Sequence, residues 1–425
     1  MKILFLTDNF PPEVNAPATR TYEHCQEWVR EGIDVTVVTC VPNFPHGKLY
    51  KGYKNRLYQK EKIDGIDVIR VWSYMSSNNG FSKRILDYLS FAFSSFWVGL
   101  FQQFDMVVAT SPQFFTTWTG YGLSKIKRKP WIFELRDIWP ESIATVGVLK
   151  QGHMINFLEK IELGLYRDAT KVIAVTDAFK DNLVSRGIER GKVDVVTNGS
   201  NLKLFSSRKK DSKLLKKLGL ENKFIVGYIG THGLAHSLDF IVKSIKNISD
   251  DTIHFLFIGD GAMKSTIIKI ADDSKLNNIT FLDSISKEDV PTYLSICDVS
   301  LAPLKKKDNF KTVIPSKIFE ASAMEKPTLL GVQGEAQQIL EKYNAGICFE
   351  PENEEDFIAK LTILKDKKRY IEFQKGCRAL AKNYDRKKLA QKMLTIIKKM
   401  IIINQPRAKN SSIYAQKAII DSRQS

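Results

Sequence analysis

Short apolar runs alternate with amphipathic stretches along almost the whole chain. Ile3–Thr7 is an apolar run of strand length, followed by a helical pattern around Thr19–Glu31 and a second run at Asp34–Thr39. Val68–Trp72, Met106–Thr110, Trp131–Leu135, Lys171–Val175 and Val193–Val196 read as further strands, with helices predicted over Ile155–Tyr166 and near Phe179–Arg186. A polar, Lys-rich stretch, Phe205–Lys223, predicts a connection between domains. The rhythm then restarts, with strands at Phe224–Ile229, His254–Ile258, Thr280–Leu282, Val299–Ala302, Thr328–Leu330 and Ile347–Phe349. Helices are predicted between them, near Leu238–Ile245 and over Lys264–Ala271, Val290–Ile296 and Lys317–Met324. From Glu354 to Met400 the pattern is helical only.

Strands that are apolar throughout bury both faces, so the pattern predicts mostly parallel sheets covered by helices. The expected fold class is α/β, with two Rossmann-like domains, 1–203 and 204–384, facing a cleft. A basic helix, 385–403, is expected to cross back toward the first domain, and 404–425 reads as a mobile tail. Ligands of open α/β sheets bind at the carboxyl ends of strands, so two facing sheets make one interdomain site.

The composition is that of a soluble globular protein, 43% hydrophobic and 26% charged over 425 residues. The net charge of +17 needs a cause, and residues 382–425 alone hold eleven Lys/Arg against two acidic residues. Attraction to an anionic membrane surface accounts for such an excess, and so does a solvated helix face. Five cysteines without CxxC spacing read as reduced thiols. The apolar run Ile3–Leu6 is too short for a secretory leader and reads as a buried strand. The uncharged run Tyr88–Phe104, seventeen residues, falls short of a membrane span. It reads as a helix in the core or on a membrane surface, with Lys83 and Arg84 before it. The thiols predict a cytoplasmic protein, and the basic surface one peripheral to a membrane.

Several chemistries lack their motifs. No GxGxxG follows a strand, and there is no P-loop, HExxH, GxSxG or zinc-type Cys/His spacing. There is no Asp-x-Asp pair to hold a nucleotide through a divalent cation, so no metal and no cofactor are expected. Nucleic acid rests on charge alone and is not expected as a partner.

The most informative stretch is Ile314-Pro315-Ser316-Lys317-Ile318-Phe319-Glu320. Pro315 ends a loop and Ser316 is placed to cap a helix. Lys317 and Glu320 share one face of its first turns. A lysine at a helix N-terminus suits a diphosphate, and a carboxylate one turn inside suits the hydroxyls of a ribose. An exposed ion pair between the two is the plainer reading.

This stretch resembles the nucleotide-sugar-binding segment of family 4 glycosyltransferases, retaining enzymes of the two-domain GT-B fold. The resemblance runs from Met1 to about Met400. It includes Asp8-Asn9-Phe10-Pro11-Pro12, Asn15-Ala16-Pro17-Ala18-Thr19-Arg20, Leu135-Arg136-Asp137-Ile138-Trp139-Pro140, Val175-Thr176-Asp177 and Thr197-Asn198-Gly199. In the second half it includes Gly230-Thr231-His232-Gly233, Gly259-Asp260-Gly261 and Gly334-Glu335-Ala336. The pattern is most similar to bacterial transferases of O-antigen and capsule synthesis that add an N-acetyl-fucosamine-type sugar to a lipid-linked acceptor.

Two departures stand out. The family often has a second glutamate eight residues before the position of Glu320, where this chain has Thr312. Many members carry an Arg and a Lys after the first strand of the second domain, and here that region reads Gly230-Thr231-His232-Gly233-Leu234-Ala235-His236-Ser237. The resemblance therefore implies that Lys317, His232 and backbone N–H groups share the diphosphate. It also places Gly230, Thr231, Ser316, Glu320, Gly334, Glu335 and Ala336 at the nucleotide sugar. Asp137 follows a strand at the cleft edge, where a carboxylate can orient or deprotonate an acceptor hydroxyl. An ion pair with Arg136 or a helix cap is the structural alternative. The loop carrying Asn15, Ala16 and Arg20 is implied to approach the sugar and diphosphate. Asp177 and Asn198 read as structural.

The expected activity is metal-independent, retaining transfer of a sugar from a UDP-sugar to a polyprenyl-diphosphate-linked sugar. A GT-B-like UDP-sugar epimerase and a non-enzymatic basic membrane- or nucleic-acid-binding protein are the alternatives. The oligomeric state is left open.

Overall fold

The computed structural model describes residues 1–44, 47–75, 81–111, 113–138 and 153–404. The expected tail beyond Asn404 and the Trp139-Pro140 end of one motif lie outside them.

The first domain is built on an eight-stranded sheet of order β3-β4-β2-β1-β5-β6-β7-β8. Its strands are β1 (Lys2–Leu6), β2 (Asp34–Cys40), β3 (Tyr58–Ile63), β4 (Ile66–Val71), β5 (Met106–Thr110), β6 (Trp131–Leu135), β7 (Lys171–Ala174) and β8 (Val193–Val195). All pairings are parallel except β3 with β4. Alternate residues of each strand feed opposite cores. Leu4 and Leu6 pack with Phe91, Leu123 and Leu165 on one face. Ile3 and Phe5 pack with Cys25, Trp28 and Met393 on the other. Helices α2 (Phe81–Leu100), α3 (Phe114–Lys127) and α4 (His153–Asp168) cover the first face, and α1 (Ala16–Arg30) covers the second. Helix α5 (Asp177–Ser185) follows β7.

The second domain has six parallel strands in the order β11-β10-β9-β12-β13-β14. They are β9 (Phe224–Ile229), β10 (Ile253–Ile258), β11 (Ile279–Leu282), β12 (Val299–Pro303), β13 (Thr328–Gly331) and β14 (Gly346–Cys348). Its helices are α6 (Ser212–Leu218), α7 (Leu238–Ile245), α8 (Lys264–Asp273), α9 (Val290–Ile296), α10 (Lys317–Ala323), α11 (Glu335–Tyr343), α12 (Glu354–Leu364) and α13 (Lys367–Asn383).

The polar stretch Phe205–Lys223 is more than a connection. Asp211 caps α6 through the N–H of Leu214 at 2.9 Å, Gly219 ends it in the left-handed region, and Phe205, Leu215 and Leu220 join the second-domain core.

The chain then returns. Ser200 N–H donates to Tyr384 O at 3.0 Å, and Arg386 N–H donates to Ser200 O at 2.9 Å. The last described helix, α14 (Arg386–Ile403), buries Leu389, Ala390, Met393, Leu394 and Ile397 against α1 and the first-domain sheet. Trp28 Nε1 donates to Ala390 O at 2.9 Å across that contact. The lysines Lys387, Lys388, Lys392, Lys398 and Lys399 stay on its exposed side.

Candidate active site

The carboxyl ends of the β9 and β10 strands carry two interlocked loops. Gly230 and Gly259 both have φ values, +143° and +146°, that only glycine adopts freely, and a Cβ on Gly259 would stand 1.9 Å from Gly230 O. His232 N–H donates to Asp260 O at 2.8 Å, and Met263 N–H donates to His232 O at 2.8 Å. The loops thus hold each other through their backbones.

Lys317, first residue of α10, reaches over this floor. A Cβ on Gly230 would meet its Nζ at 2.7 Å, so the missing side chain is the space the ammonium occupies. The Nζ lies 4.6 Å from the centroid of the Tyr228 ring, a cation–π contact. Tyr228 is itself held by its hydroxyl, which donates to Thr231 O at 2.6 Å. The ammonium has no hydrogen-bond partner among the described residues. Burial lowers its pKa to about 8, against the upward pull of Glu320. A cation largely withdrawn from water with its N–H donors unused suits an anionic ligand.

Four expectations need correction here. The Ser316 side chain does not cap α10, although the residue sits at the N-cap position. Its backbone is already in the helical region, at φ −60° and ψ −23°. Glu320 does not pair with Lys317, because Lys287 Nζ donates to Glu320 Oε1 at 2.5 Å. Lys287 comes from the loop after β11 and also lies over the Phe205 ring at 5.2 Å. No local spacing in the sequence signals that pairing. His232 is fully buried and neither ring nitrogen has a partner among the described residues. Burial, with Lys264 and Lys317 nearby, lowers its pKa to about 4, so the imidazole is neutral and brings one N–H, not a positive charge, to any share in the diphosphate. Ala336 has its methyl in the core beside Ile339 and Leu340, leaving only its backbone for a ligand. Thr231, by contrast, is exposed at this edge.

Gly334, at φ +81°, backs onto Lys311 O and starts α11. The Glu335 side chain turns toward the first domain. Its Oε1 accepts from Asp177 N–H at 2.9 Å and its Oε2 from Ala178 N–H at 2.8 Å, so it caps α5 across the domain boundary. A groove of about 650 Å³ lies beside this clamp, lined by Asp177, Lys180, Tyr343, Tyr384, Lys392 and Lys399 among others. Neither Lys317 nor Asp137 lines it.

On the first domain, Asn15 caps α1 by accepting from Ala18 N–H at 2.9 Å, and its Nδ2 donates to Asn9 Oδ1 at 2.6 Å. Asn9 Nδ2 donates in turn to Asp8 Oδ2 at 3.0 Å. Burial, and then Asp87 and Glu13, hold the Asp8 carboxyl well above the usual carboxylate range. Ala16 is exposed in the first turn of α1. Arg20 departs from expectation. It is 1% exposed, with Nε on Glu134 Oε1 at 2.9 Å, Nη1 on Thr197 O at 2.7 Å and Nη2 on Val196 O at 2.8 Å. Because the helix begins at Ala16, Arg20 lies one turn inside it, and its guanidinium is taken up by Glu134 and the carbonyls of Val196 and Thr197. Asn198 joins the same structural network through its Oδ1, which accepts from Arg20 Nη1 at 3.2 Å.

Asp137 stands two residues beyond β6. Its N–H approaches Ser111 Oγ at 3.3 Å, and Ser111 Oγ also accepts from Arg136 N–H at 2.9 Å. The Arg136 guanidinium donates to Pro17 O at 3.3 Å, which ties this loop to α1. Asp137 is half-buried.

Residues 15–199 match the Glycosyl transferase 4-like domain, and residues 210–387 match Glycosyl transferases group 1. With the two facing parallel-sheet domains, this defines a glycosyltransferase of the GT-B fold. The chain is 24% identical over 371 residues to the colanic acid biosynthesis glycosyl transferase WcaI of Escherichia coli K12, covering 84% of this chain and 91% of that one. It is 26% identical over 203 residues to the teichuronic acid biosynthesis glycosyltransferase TuaH of Bacillus subtilis, covering 47% and 49% of the two chains. Among solved structures, sucrose-phosphate synthase of Thermosynechococcus elongatus superposes with a TM-score of 0.76 at 16% identity, covering 95% of this chain and 99% of that one. Anabaena HepE in complex with UDP and glucose gives 0.69 at 16% identity, covering 94% and 100%.

Proposed function

We propose that the chain is a retaining, metal-independent transferase of bacterial surface-polysaccharide synthesis. It moves a sugar, of the N-acetyl-amino-deoxy type such as N-acetyl-L-fucosamine, from a UDP-sugar to a polyprenyl-diphosphate-linked sugar of an O-antigen or capsule. The observation that carries this reading is the partnerless Lys317 ammonium over the Gly230 floor. It supplies one fixed positive charge over the Gly230 floor, with Thr231 exposed at the same edge, and the first turn of α11, whose leading N–H groups have no intrahelical partner, is the second element we assign to the diphosphate. Asp137, on the first domain, is the group we assign to the acceptor hydroxyl. No second carboxylate is assigned as a nucleophile; departure and attack run on the front face, assisted by the donor's leaving phosphate, while Asp137 orients the acceptor hydroxyl and takes its proton. The relatives named for colanic and teichuronic acid synthesis support a surface-polysaccharide substrate, and HepE with UDP supports a uridine nucleotide. A lipid-linked acceptor requires a membrane-peripheral enzyme.

The test is product analysis with a panel of UDP-sugars and a lipid-linked acceptor, with and without EDTA. The reading requires acceptor-dependent product with the donor's anomeric configuration, undiminished by chelator. Release of UDP or a 2-epimer without acceptor would favour the epimerase reading instead.

A further inference from the structure

Helix α2 is apolar on two opposite sides. Its inner side carries Phe91 and Ser95, both fully buried, and Thr119 of α3 donates its hydroxyl to Ala92 O at 2.9 Å. Gly99 and Gly122 let the two helices approach, each facing a large side chain of the other, Leu123 and Phe96. This side is core. The outer side carries Leu86, Leu89, Phe93 and Trp97, with Phe101 just past the helix end. Intervals of three and four residues place them on one line along the helix. Phe93 is 65% exposed and Phe101 82%. The Phe93 and Trp97 rings meet edge to face at 6.2 Å.

Single exposed hydrophobics are ordinary, but a continuous stripe of five large ones marks a contact surface. The surrounding charge says what it contacts. No charged residue occurs between Tyr88 and Phe104. Lys83 and Arg84 precede the stripe, and Lys125, Lys127, Arg128 and Lys129 end the neighbouring α3, all of them exposed. Both helices cross over between parallel strands, so they run the same way and the two basic groups bracket the stripe at opposite ends. Residues 81–129 hold two acids, Asp87 and Asp105, and of the six cations Lys125 is paired with Asp168 at 2.5 Å and Lys129 lies 3.8 Å from Asp105, which leaves Lys83, Arg84, Lys127 and Arg128 without a salt bridge among the described residues. A helix of this length is about 30 Å long. No helix among the described residues is long and apolar enough to cross a membrane.

We propose that this stripe is the face on which the protein lies on an anionic bilayer, with α2 in the plane of the interface and its two basic ends on headgroup phosphates. Leu and Phe side chains enter the acyl boundary, and Trp97 sits at headgroup depth. The arrangement also gives the stripe a direction. The first turns of α2 lie at the cleft end of the first domain, where Tyr74 N–H donates to Ser90 Oγ at 2.7 Å. A lipid-linked acceptor entering there has its chain along α2. This assignment rests on the reading of the enzyme as peripheral to a membrane. It names α2, rather than the basic helix α14, as the principal contact.

The test is co-sedimentation with vesicles of phosphatidylglycerol and phosphatidylethanolamine across a salt series. Wild type is compared with Phe93→Ser/Trp97→Ser and with Lys387→Glu/Lys388→Glu/Lys398→Glu/Lys399→Glu. UDP-induced melting shifts serve as a folding control. The stripe variant should lose at least about 100-fold in partitioning, while its UDP response is unchanged. Wild type should retain part of its binding near 1 M salt, where screening acts within about 3 Å. Equal sedimentation of wild type and the stripe variant overturns the proposal. So does loss confined to the α14 variant, and so does a wild type that never sediments. In that last case transfer to a lipid-linked acceptor in detergent separates the two readings. Transfer leaves the function standing and removes only this face. If instead vesicle binding is stripe-dependent and no acceptor is glycosylated, the face stands and the acceptor assignment falls.

Discussion

The Glu335 carboxylate, on the first turn of α11 in the second domain, accepts the backbone N–H of Asp177 at 2.9 Å, on the first turn of α5 in the first. With Ala178 N–H on its other oxygen at 2.8 Å, one side chain closes two orphan donors of a helix in another domain. The contact lies next to Gly334, in the loop assigned to the donor. The carboxylate therefore ties that loop to the first helix turn of the other domain. Burial raises the Glu335 pKa, against the two N–H groups that stabilise its charge.

Glu335→Ala should loosen the two domains without unfolding either. Charge-assisted hydrogen bonds contribute about 1.5–3 kcal/mol each, so closure should weaken roughly 10- to 150-fold for each of the two bonds lost. Small-angle scattering should show a larger radius of gyration. Glu335→Gln should behave similarly, because an amide presents only one acceptor to two donors. Unchanged scattering in both variants would remove the clamp from the account.

Glu320 and Lys287 should behave as a coupled pair in UDP binding. Glu320→Ala is expected to weaken UDP roughly 10- to 150-fold, by loss of charge-assisted hydrogen bonds to a ribose. Lys287→Ala should weaken it less, through misplacement of the carboxylate. The double variant should cost less than the sum of the single ones. Calorimetry that finds strict additivity would make the pair a surface ion pair of no consequence to the nucleotide.

Arg20 should matter for stability rather than for the donor. Removing one partner of a buried ion pair typically costs about 3–5 kcal/mol. Arg20→Ala should therefore lower Tm sharply by calorimetric scan. Arg20→Lys should not rescue it, since an ammonium cannot reach Glu134, Thr197 and Val196 together.

Asp137→Asn should reduce kcat by about 10²–10⁴-fold, the usual contribution of a positioned acid–base group, with nucleotide affinity nearly unchanged. Steady-state kinetics with a UDP affinity measured in parallel separates the two. A loss that lies wholly in UDP-sugar affinity would move Asp137 to a structural role.

Much of the fold was legible because buried parallel strands are apolar on both faces. Phe224–Ile229, Leu238–Ile245 and Val290–Ile296 coincide with elements of the structure. The strand β3 escaped notice because Tyr-Gln-Lys-Glu-Lys-Ile has no apolar run. Yet its turn, Asp64-Gly65, carries the two positive φ values, 48° and 86°, of a two-residue hairpin, and that dipeptide was a signal in the sequence. The uncharged stretch Tyr88–Phe104 starts seven residues later than the helix and ends four residues later, since Lys83 and Arg84 belong to the first turn of α2. At the site, the start of the helix at Lys317 was readable from the Pro315-Ser316 break. The burial of Arg20 and His232, and the partners of Glu320 and Glu335, depend on contacts between residues far apart in the chain. No local pattern encodes those.

The central claim is that one ammonium grips the nucleotide's diphosphate, and UDP titration of wild type and Lys317→Met from about pH 6.5 to 9.5 tests it most directly. The Lys317 pKa of about 8 lies below the ordinary lysine value, so the ammonium is largely protonated below that pH and loses its proton above it. Wild-type affinity should be high at the acidic end and fall as pH rises through about 8. The Lys317→Met variant should be weaker by roughly 10- to 150-fold at the acidic end and flat across the range. A wild-type affinity independent of pH, matched by Lys317→Met, would contradict the account.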